Sequence, residues 1–308
     1  MKEEFLLKFR GVRGSIPVPG KTTLRYGGNT TCIELRINGN IIIVDAGTGI
    51  INLGNELMTE FLKNFKPIKA TMLFTHVHLD HVMGLPFFTP IYIGTTELNM
   101  FGPRYYNQDF KKSISMCMQS PLFPVEFDDV QSNCIVNNIK EGELIIINGN
   151  NNPEIDNVFR PTKKTDENSI KIFAYQSYAH PNDGVLAYRI EYKGKKVVIA
   201  TDIEGYKTPD VRLSKFSKDV DLLIADAQYT EQEYQNAQGF GHSTINMAID
   251  LAKNANAKNL VLFHHDPRHT DEKLDEIHKY AKTLMPNCKM AIEEEVIDIL
   301  KLSVVSNP

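Results

Sequence analysis

An α/β fold is what this sequence predicts, and three observations predict it. Apolar, β-branched runs alternate with stretches of helical periodicity along most of the chain. A hairpin signal opens each half, Asn38-Gly39-Asn40 in the first and Lys193-Gly194-Lys195 in the second. Several apolar runs lead into an aspartate or a histidine, at Asp45, His76, Asp202 and His264.

Residues 5–9 read as a first strand, followed by Gly11-Val12-Arg13-Gly14-Ser15 and the breakers Pro17, Pro19 and Gly20. Residues 31–37 and 41–44 form two strands around the Asn-Gly turn, and the second ends at Asp45-Ala46-Gly47-Thr48-Gly49. A helix follows over 57–62, then a strand over 70–74 that runs into His76. After Gly84 come Leu85-Pro86-Phe87-Phe88 and a mixed stretch to Phe101-Gly102-Pro103. From 102 to 168 the pattern weakens to a helix near 111–118, a strand at 144–147 and the polar run Asn148-Gly149-Asn150-Asn151-Asn152-Pro153. We read 102–168 as an insertion in a single domain spanning 1–308. The second half is more regular, with strands at 170–175, 185–192, 196–200, 222–225 and 260–263. The helix 244–254 carries Ile245, Ala248, Ile249 and Ala252 at i, i+3, i+4, i+7 spacing. A last helix, 271–284, is closed by Pro286.

With 308 residues, 42% of them hydrophobic, the chain can bury a large core. Its formal net charge of −4 lacks the basic balance of a dedicated nucleic-acid binder, although a local basic patch stays open. Cys32, Cys117, Cys134 and Cys288 are far apart, so no Cys-x-x-Cys pair exists and free thiols are expected. The first residues hold no signal-peptide core and no run reaches the length of a membrane span. A cytoplasmic setting with no membrane partner is the resulting expectation.

The strongest chemical signal is Thr75-His76-Val77-His78-Leu79-Asp80-His81. Three imidazoles and a carboxylate follow a strand, on a loop where ligands can converge. His76 and His78 are two apart, so in an extended segment both face the same way. Asp80 and His81, one turn further, can face a second ion. Neutral imidazole and carboxylate suit zinc and its first-row neighbours. A chance cluster of surface histidines is the alternative, and the strand context weighs against it.

The His-x-His-x-Asp-His run after a strand resembles the signature of the metallo-β-lactamase superfamily, and its other pieces follow in order. Asp45 in Val44-Asp45-Ala46-Gly47 resembles the first motif, a carboxylate behind the ligands. His180 in Tyr178-Ala179-His180-Pro181, Asp202 in Ile199-Ala200-Thr201-Asp202 and His264 in Leu262-Phe263-His264-His265 resemble the third, fourth and fifth. The resemblance implies an αββα sandwich, two β-sheets face to face with helices outside. It also implies two divalent metal ions, zinc by donor type, with manganese or iron also compatible. His76, His78 and His180 would hold one ion, Asp80, His81 and His264 the other, and Asp202 would bridge them. The catalytic candidates are His242 and Asp80.

The superfamily's zinc β-lactamases typically place a cysteine or a different ligand set where Asp202 stands. A bridging aspartate resembles the phosphodiesterase, ribonuclease and glyoxalase-like branches. Gly241-His242-Ser243-Thr244 before a helix resembles ribonuclease Z and its phosphodiesterase relatives, in which the histidine is assigned as a proton donor. Gly11-Val12-Arg13-Gly14-Ser15 and Tyr26-Gly27-Gly28-Asn29-Thr30 also look like that group; Gly27-Gly28 alone reads equally as a tight turn. Ribonuclease Z carries a long tRNA-gripping arm between its third and fourth motifs. Here His180 and Asp202 are 22 positions apart, which leaves no room for it, whereas His81 and His180 are 99 apart. The expected substrate is therefore a small phosphodiester (a cyclic nucleotide, a cyclic phosphate or a short oligonucleotide), with no dedicated tRNA binding and a homodimer left open. A glyoxalase-type thioesterase and a non-catalytic metal-binding or sensing protein are the alternatives. His265, His269 and His278 read as non-ligands, and Ser243 as the N-cap of the helix after His242.

Overall fold

The computed structural model describes residues 3–105, 108–208 and 210–305. The chain first lays down β1 (Phe5–Gly11), β2 (Cys32–Ile37), β3 (Asn40–Val44), β4 (Lys69–Leu73), β5 (Glu97–Pro103) and β6 (Asn133–Ile139). It then builds β7 (Glu143–Ile147), β8 (Glu154–Asn157), β9 (Ile170–Ser177), β10 (Val185–Tyr192), β11 (Lys195–Ala200), β12 (Leu222–Asp226), β13 (Leu260–Phe263) and β14 (Cys288–Met290). β15 (Val296–Asp298) and β16 (Ser303–Val305) return to the first group. The result is two eight-stranded sheets, ordered β16-β15-β1-β2-β3-β4-β5-β6 and β14-β13-β12-β11-β10-β9-β7-β8.

Each sheet joins an antiparallel half to a parallel half. β3 to β6 run parallel in one, and β11 to β14 in the other. Parallel strands send their C-terminal loops to one side, which is where α/β sheets place ligands. The two sheets meet through one apolar layer in which Phe5, Leu7, Phe9 and Leu35 face Ile145, Ile172, Leu186 and Phe263. The Phe9 and Phe263 rings lie 5.9 Å apart across it. Burying each such side chain contributes about 1.5–3 kcal/mol. A one-residue slip of a strand would turn its whole apolar set outward, so this layer fixes the register.

Helices cover both outer faces. On the first sheet lie α1 (Ile50–Asn64), α2 (Leu79–Val82) and α3 (Phe110–Ser115), with Ile50, Leu53 and Leu57 packed among Ile43, Met72 and Phe74. On the second lie α4 (Val211–Phe216), α6 (Ile245–Asn254) and α7 (Asp271–Leu284), while the short α5 (Glu231–Tyr234) sits in the loop after β12. This is the αββα sandwich that the sequence led us to expect. Strands 185–192 and 260–263 and helix 271–284 fall where they were expected.

Two stretches differ from expectation. α1 starts at Ile50, seven residues before the expected 57. Gly54 masks the helical signal, yet it is what lets the helix approach the Phe88 ring, which a Cβ there would meet at 3.0 Å. The segment 102–168, expected as an insertion, carries β6 at one edge of the first sheet and β7 and β8 at one edge of the second. Its Asn-rich run is the β7–β8 turn.

Candidate metal centre

All the implied ligands, and Asp45 behind them, lie at the C-terminal ends of strands. Asp45 follows β3, the His76–His81 loop follows β4, His180 follows β9, Asp202 follows β11 and His264 follows β13. Three of these residues have left-handed backbones, Asp45 at φ 61°, Asp202 at 56° and His264 at 62°. Such conformations cost energy in non-glycine residues and collect at functional sites. The single turn of α2 carries Asp80 and His81 inward and leaves Leu79 exposed. Across the sheets, the Leu186 N–H donates to Thr75 O at 2.9 Å and the Tyr188 hydroxyl to Phe74 O at 2.8 Å, tying β10 to the end of β4.

The implied ligands gather into two groups, His76, His78 and His180 in one and Asp80, His81, Asp202 and His264 in the other, with donor atoms in each within 4.8 Å of one another; a third set, Asp202, Asp226, His242 and His264, is equally close and overlaps the second. Asp202 lies between them. Its Oδ2 is 3.2 Å from His81 Nε2 and 3.7 Å from His76 Nε2, and its Oδ1 is 3.3 Å from His264 Nε2. His78 Nδ1 comes within 3.0 Å of His180 Nε2. Asp80 Oδ2 sits 3.2 Å from His264 Nε2 and accepts the Ser15 N–H at 2.7 Å.

Most of the ligand rings are held from behind by an acceptor. His81 Nδ1 lies 2.8 Å from Asp45 Oδ2, His264 Nδ1 2.9 Å from Gln228 Oε1 and His180 Nδ1 3.0 Å from the Gly241 carbonyl. Thr75 donates its hydroxyl to Asp45 and leaves a lone pair for His76 Nδ1 at 3.1 Å. Protons on these Nδ1 atoms leave Nε2 as the free lone pair, the arrangement found behind metal-ligating histidines. His76 Nε2 and His81 Nε2 are buried with no hydrogen-bond partner among the described residues. Each would cost about 1–3 kcal/mol if left unsatisfied. A cation at the convergence point removes that cost, so the donor set fits metal ions.

The electrostatics point the same way. Burial, with neighbouring imidazoles, holds His76 well below its ordinary range and also lowers His78 and His180, which favours the neutral form that a metal ion would require. Burial alone would raise Asp80 and Asp202, yet the facing imidazoles, His81 and His264, pull both well below the usual carboxylate range. Burial opposes a charged His81, but Asp202, Asp80 and Asp45 outweigh it and hold the ring well above its ordinary range. A field that stabilises a buried imidazolium would also favour a divalent cation.

His242 stands beside this centre, its ring stacked on that of His264 with centroids 4.9 Å apart. Its Nδ1 is 2.8 Å from Asp226 Oδ2. Burial lowers the His242 pKa, but the Asp226 carboxylate overrides it and carries the ring up to about 9. The helix after it is capped by Thr244, not by the expected Ser243. Ser243 is committed elsewhere, since its hydroxyl donates to Ile203 O and accepts the Gly205 N–H, fastening the loop after Asp202. His265 is buried and donates Nε2–H to Ala291 O, His269 pairs with Glu233, and His278 lies in α7, all outside the ligand groups.

Sequence reading missed Asp226 and Gln228, and it quoted Thr75 and Gly241 within motifs without assigning them a role. Asp226 ends β12 just as Asp45 and Asp202 close strands, a signal that was available. Gly241 has φ 91°, and a Cβ there would lie 2.2 Å from His180 Nδ1. The Glu204 carboxylate holds this glycine's loop by accepting the Gly239 and Gly241 N–H groups.

A family model described as Beta-lactamase superfamily domain matches residues 40–265 of the chain. Among curated proteins, a Ribonuclease Z of Pediococcus pentosaceus is 25% identical over 279 residues, covering 81% of this chain and 88% of its own length. Among solved structures, the metallo-beta-lactamase fold protein YhfI from Bacillus subtilis is similar with a TM-score of 0.65 at 17% identity, covering 96% of this chain and 99% of that one. The human tRNase Z short form is similar with a TM-score of 0.61 at 20% identity, covering 96% and 99%.

Proposed function

Because the chain belongs to the Beta-lactamase superfamily, we propose that it is a metal-dependent phosphodiesterase acting on a small phosphodiester. The observation that carries this reading is two adjoining ligand groups, with Asp202 of one 3.7 Å from His76 of the other, and a carboxylate-bound histidine beside them. Two divalent ions held there, zinc or alternatively manganese or iron, would supply a Lewis acid and make water a nucleophile at neutral pH.

The chain's own residues supply the rest. His242 donates Nδ1–H to Asp226, which leaves its Nε2–H to protonate a departing alkoxide oxygen. Asp226 sets the ring's orientation and keeps it charged. Asp80, anchored by the Ser15 N–H, serves as a ligand and borders the reacting centre. Asp45 and Gln228 fix the His81 and His264 rings and so the spacing of the donors. A thioester hydrolase would release a thiolate, which leaves without such a proton donor.

A second reading, removal of a tRNA 3′ trailer, is favoured by the curated relative named Ribonuclease Z. Against it, the chain between His180 and Asp202 folds as the tight β10–β11 hairpin around Lys193 and Gly194. Zinc- or manganese-loaded protein should hydrolyse bis(p-nitrophenyl) phosphate and small cyclic or oligonucleotide diesters, with little action on precursor tRNA or S-lactoylglutathione. Cleavage of S-lactoylglutathione alone would overturn the proposal. Precursor tRNA as the preferred substrate would establish the second reading.

A further inference from the structure

A cleft of about 360 Å³ opens beside His76 and His78, within the size range of small-molecule pockets. Tyr105 and Gln108 form one side of it, and the turn Pro181-Asn182-Asp183-Gly184 forms the other. The polar groups there include both donors and acceptors. Tyr105 Oη accepts the Val77 N–H at 3.0 Å, which leaves its own O–H as a donor. Gln108 Nε2 donates to Ser113 Oγ at 2.8 Å, so its carbonyl oxygen remains as an acceptor. The turn carrying Asp183 is fixed by Gly184, at φ 78°, where a Cβ would lie 2.2 Å from Ser177 O. Gln176 Nε2 also bonds the Asp183 carbonyl, at 3.4 Å. The Asp183 carboxylate itself makes no hydrogen bond or ion pair among the described residues, and no lysine or arginine lines the cleft among them.

Away from His76 and His78, the walls carry a free carboxylate and no lysine or arginine among the described residues, so they disfavour a further phosphate and accept from N–H groups. We propose that this cleft receives the base of a nucleoside phosphodiester, and that Asp183 selects bases with adjacent N–H donors, guanine above uracil. Guanine offers N1–H and the 2-amino group side by side, matching the two oxygens of a carboxylate. Uracil offers one N–H between two carbonyls, which the carboxylate repels. The substrate class rests on the phosphodiesterase reading of the metal centre.

The test compares kcat/KM for 2′,3′-cyclic GMP and 2′,3′-cyclic UMP in metal-loaded wild type and Asp183→Asn. Bis(p-nitrophenyl) phosphate is the reference substrate, and binding of GMP and UMP is measured by calorimetry. Wild type should favour the guanine nucleotide about ten-fold or more, and Asp183→Asn should bring that ratio close to one. GMP affinity should fall with it. A wild-type ratio near one, a ratio unmoved by the substitution, or an equal loss on all substrates would overturn the assignment. If bis(p-nitrophenyl) phosphate is cleaved while GMP and UMP bind alike, the cleft assignment fails alone. If no diester is cleaved yet Asp183→Asn weakens GMP selectively, the phosphodiesterase reading fails and the cleft stands.

Discussion

His242 Nδ1 and Asp226 Oδ2 lie 2.8 Å apart, and the same carboxylate oxygen accepts the backbone N–H of Asp202 at 3.1 Å. One aspartate therefore holds both the His242 ring and the loop that carries Asp202. Its other oxygen accepts the Ser243 and Gln228 N–H groups at 3.1 Å each, which locks the carboxylate in place.

Asp226→Asn should move the alkaline limb of the pH–rate profile to lower pH. Asp226 raises the His242 pKa to about 9 against burial. The donor is active while protonated, so activity is present below that pKa and lost as pH rises through it. Removing the carboxylate's charge lets the ring lose its proton earlier. Steady-state rates between pH 6 and 10 on a diester with a poor leaving group check this; an unmoved limb with metal content retained would contradict it.

His242→Ala should cut turnover by roughly 100-fold to 10,000-fold on a poor leaving group. The loss should shrink for p-nitrophenolate, which departs without a proton. Metal content should not change: His242 lies in a third close set with Asp202, Asp226 and His264, but its Nδ1 is committed to Asp226 in the proposed assignment. Equal losses on both substrates, or a missing ion, would remove it from the proton-donor role.

Gly241→Ala should displace His180. The added Cβ would fall 2.2 Å from His180 Nδ1 and 2.4 Å from Pro181 Cδ, at a backbone φ of 91° that alanine resists. We expect loss of the ion at His76, His78 and His180, with the one at Asp80, His81 and His264 retained. Elemental analysis of the purified variant reads this directly, and a wild-type metal ratio would count against the assignment.

The parts of the site legible in the sequence are those where a strand runs into a ligand. Asp45, His76, Asp202 and His264 each follow an apolar run, because the carboxyl ends of parallel strands deliver them to one edge. Gln228 and Gly241 carry no such mark. Their roles exist only once the loops after β12 and α5 meet His264 and His180. The fold was legible where strands are buried on both faces, as in β10 and β13. It was hidden in β6, whose Asn133-Cys134-Ile135-Val136-Asn137-Asn138-Ile139 is a half-exposed edge strand. It was hidden too in the first half of α1, where Gly54 serves packing at the expense of helical propensity.

Glu293 should make stability fall as pH rises toward neutrality. Burial pushes its carboxyl from an ordinary 4.5 up to about 7, against the hydrogen bonds from Asn29. Between those values the folded chain holds a proton that the unfolded chain releases, so stability is lost as pH rises through the window. Glu293→Gln should flatten that slope and raise Tm at pH 8 by at least about 2 °C relative to wild type. The difference should disappear near pH 4.5. Parallel melting curves from pH 4.5 to 8 check it, and a constant offset would contradict it.

Two metal ions joined by Asp202 would fix the metal-to-chain ratio, and that ratio decides the assignment. Seven ligand-type side chains in two groups are too many for one tetrahedral ion. Protein purified without chelator and equilibrated with zinc or manganese should carry close to two ions per chain, and Asp202→Ala should lower the occupancy of both. A ratio that stays near one after equilibration, or an Asp202→Ala variant that keeps both ions as tightly as wild type, would contradict the account.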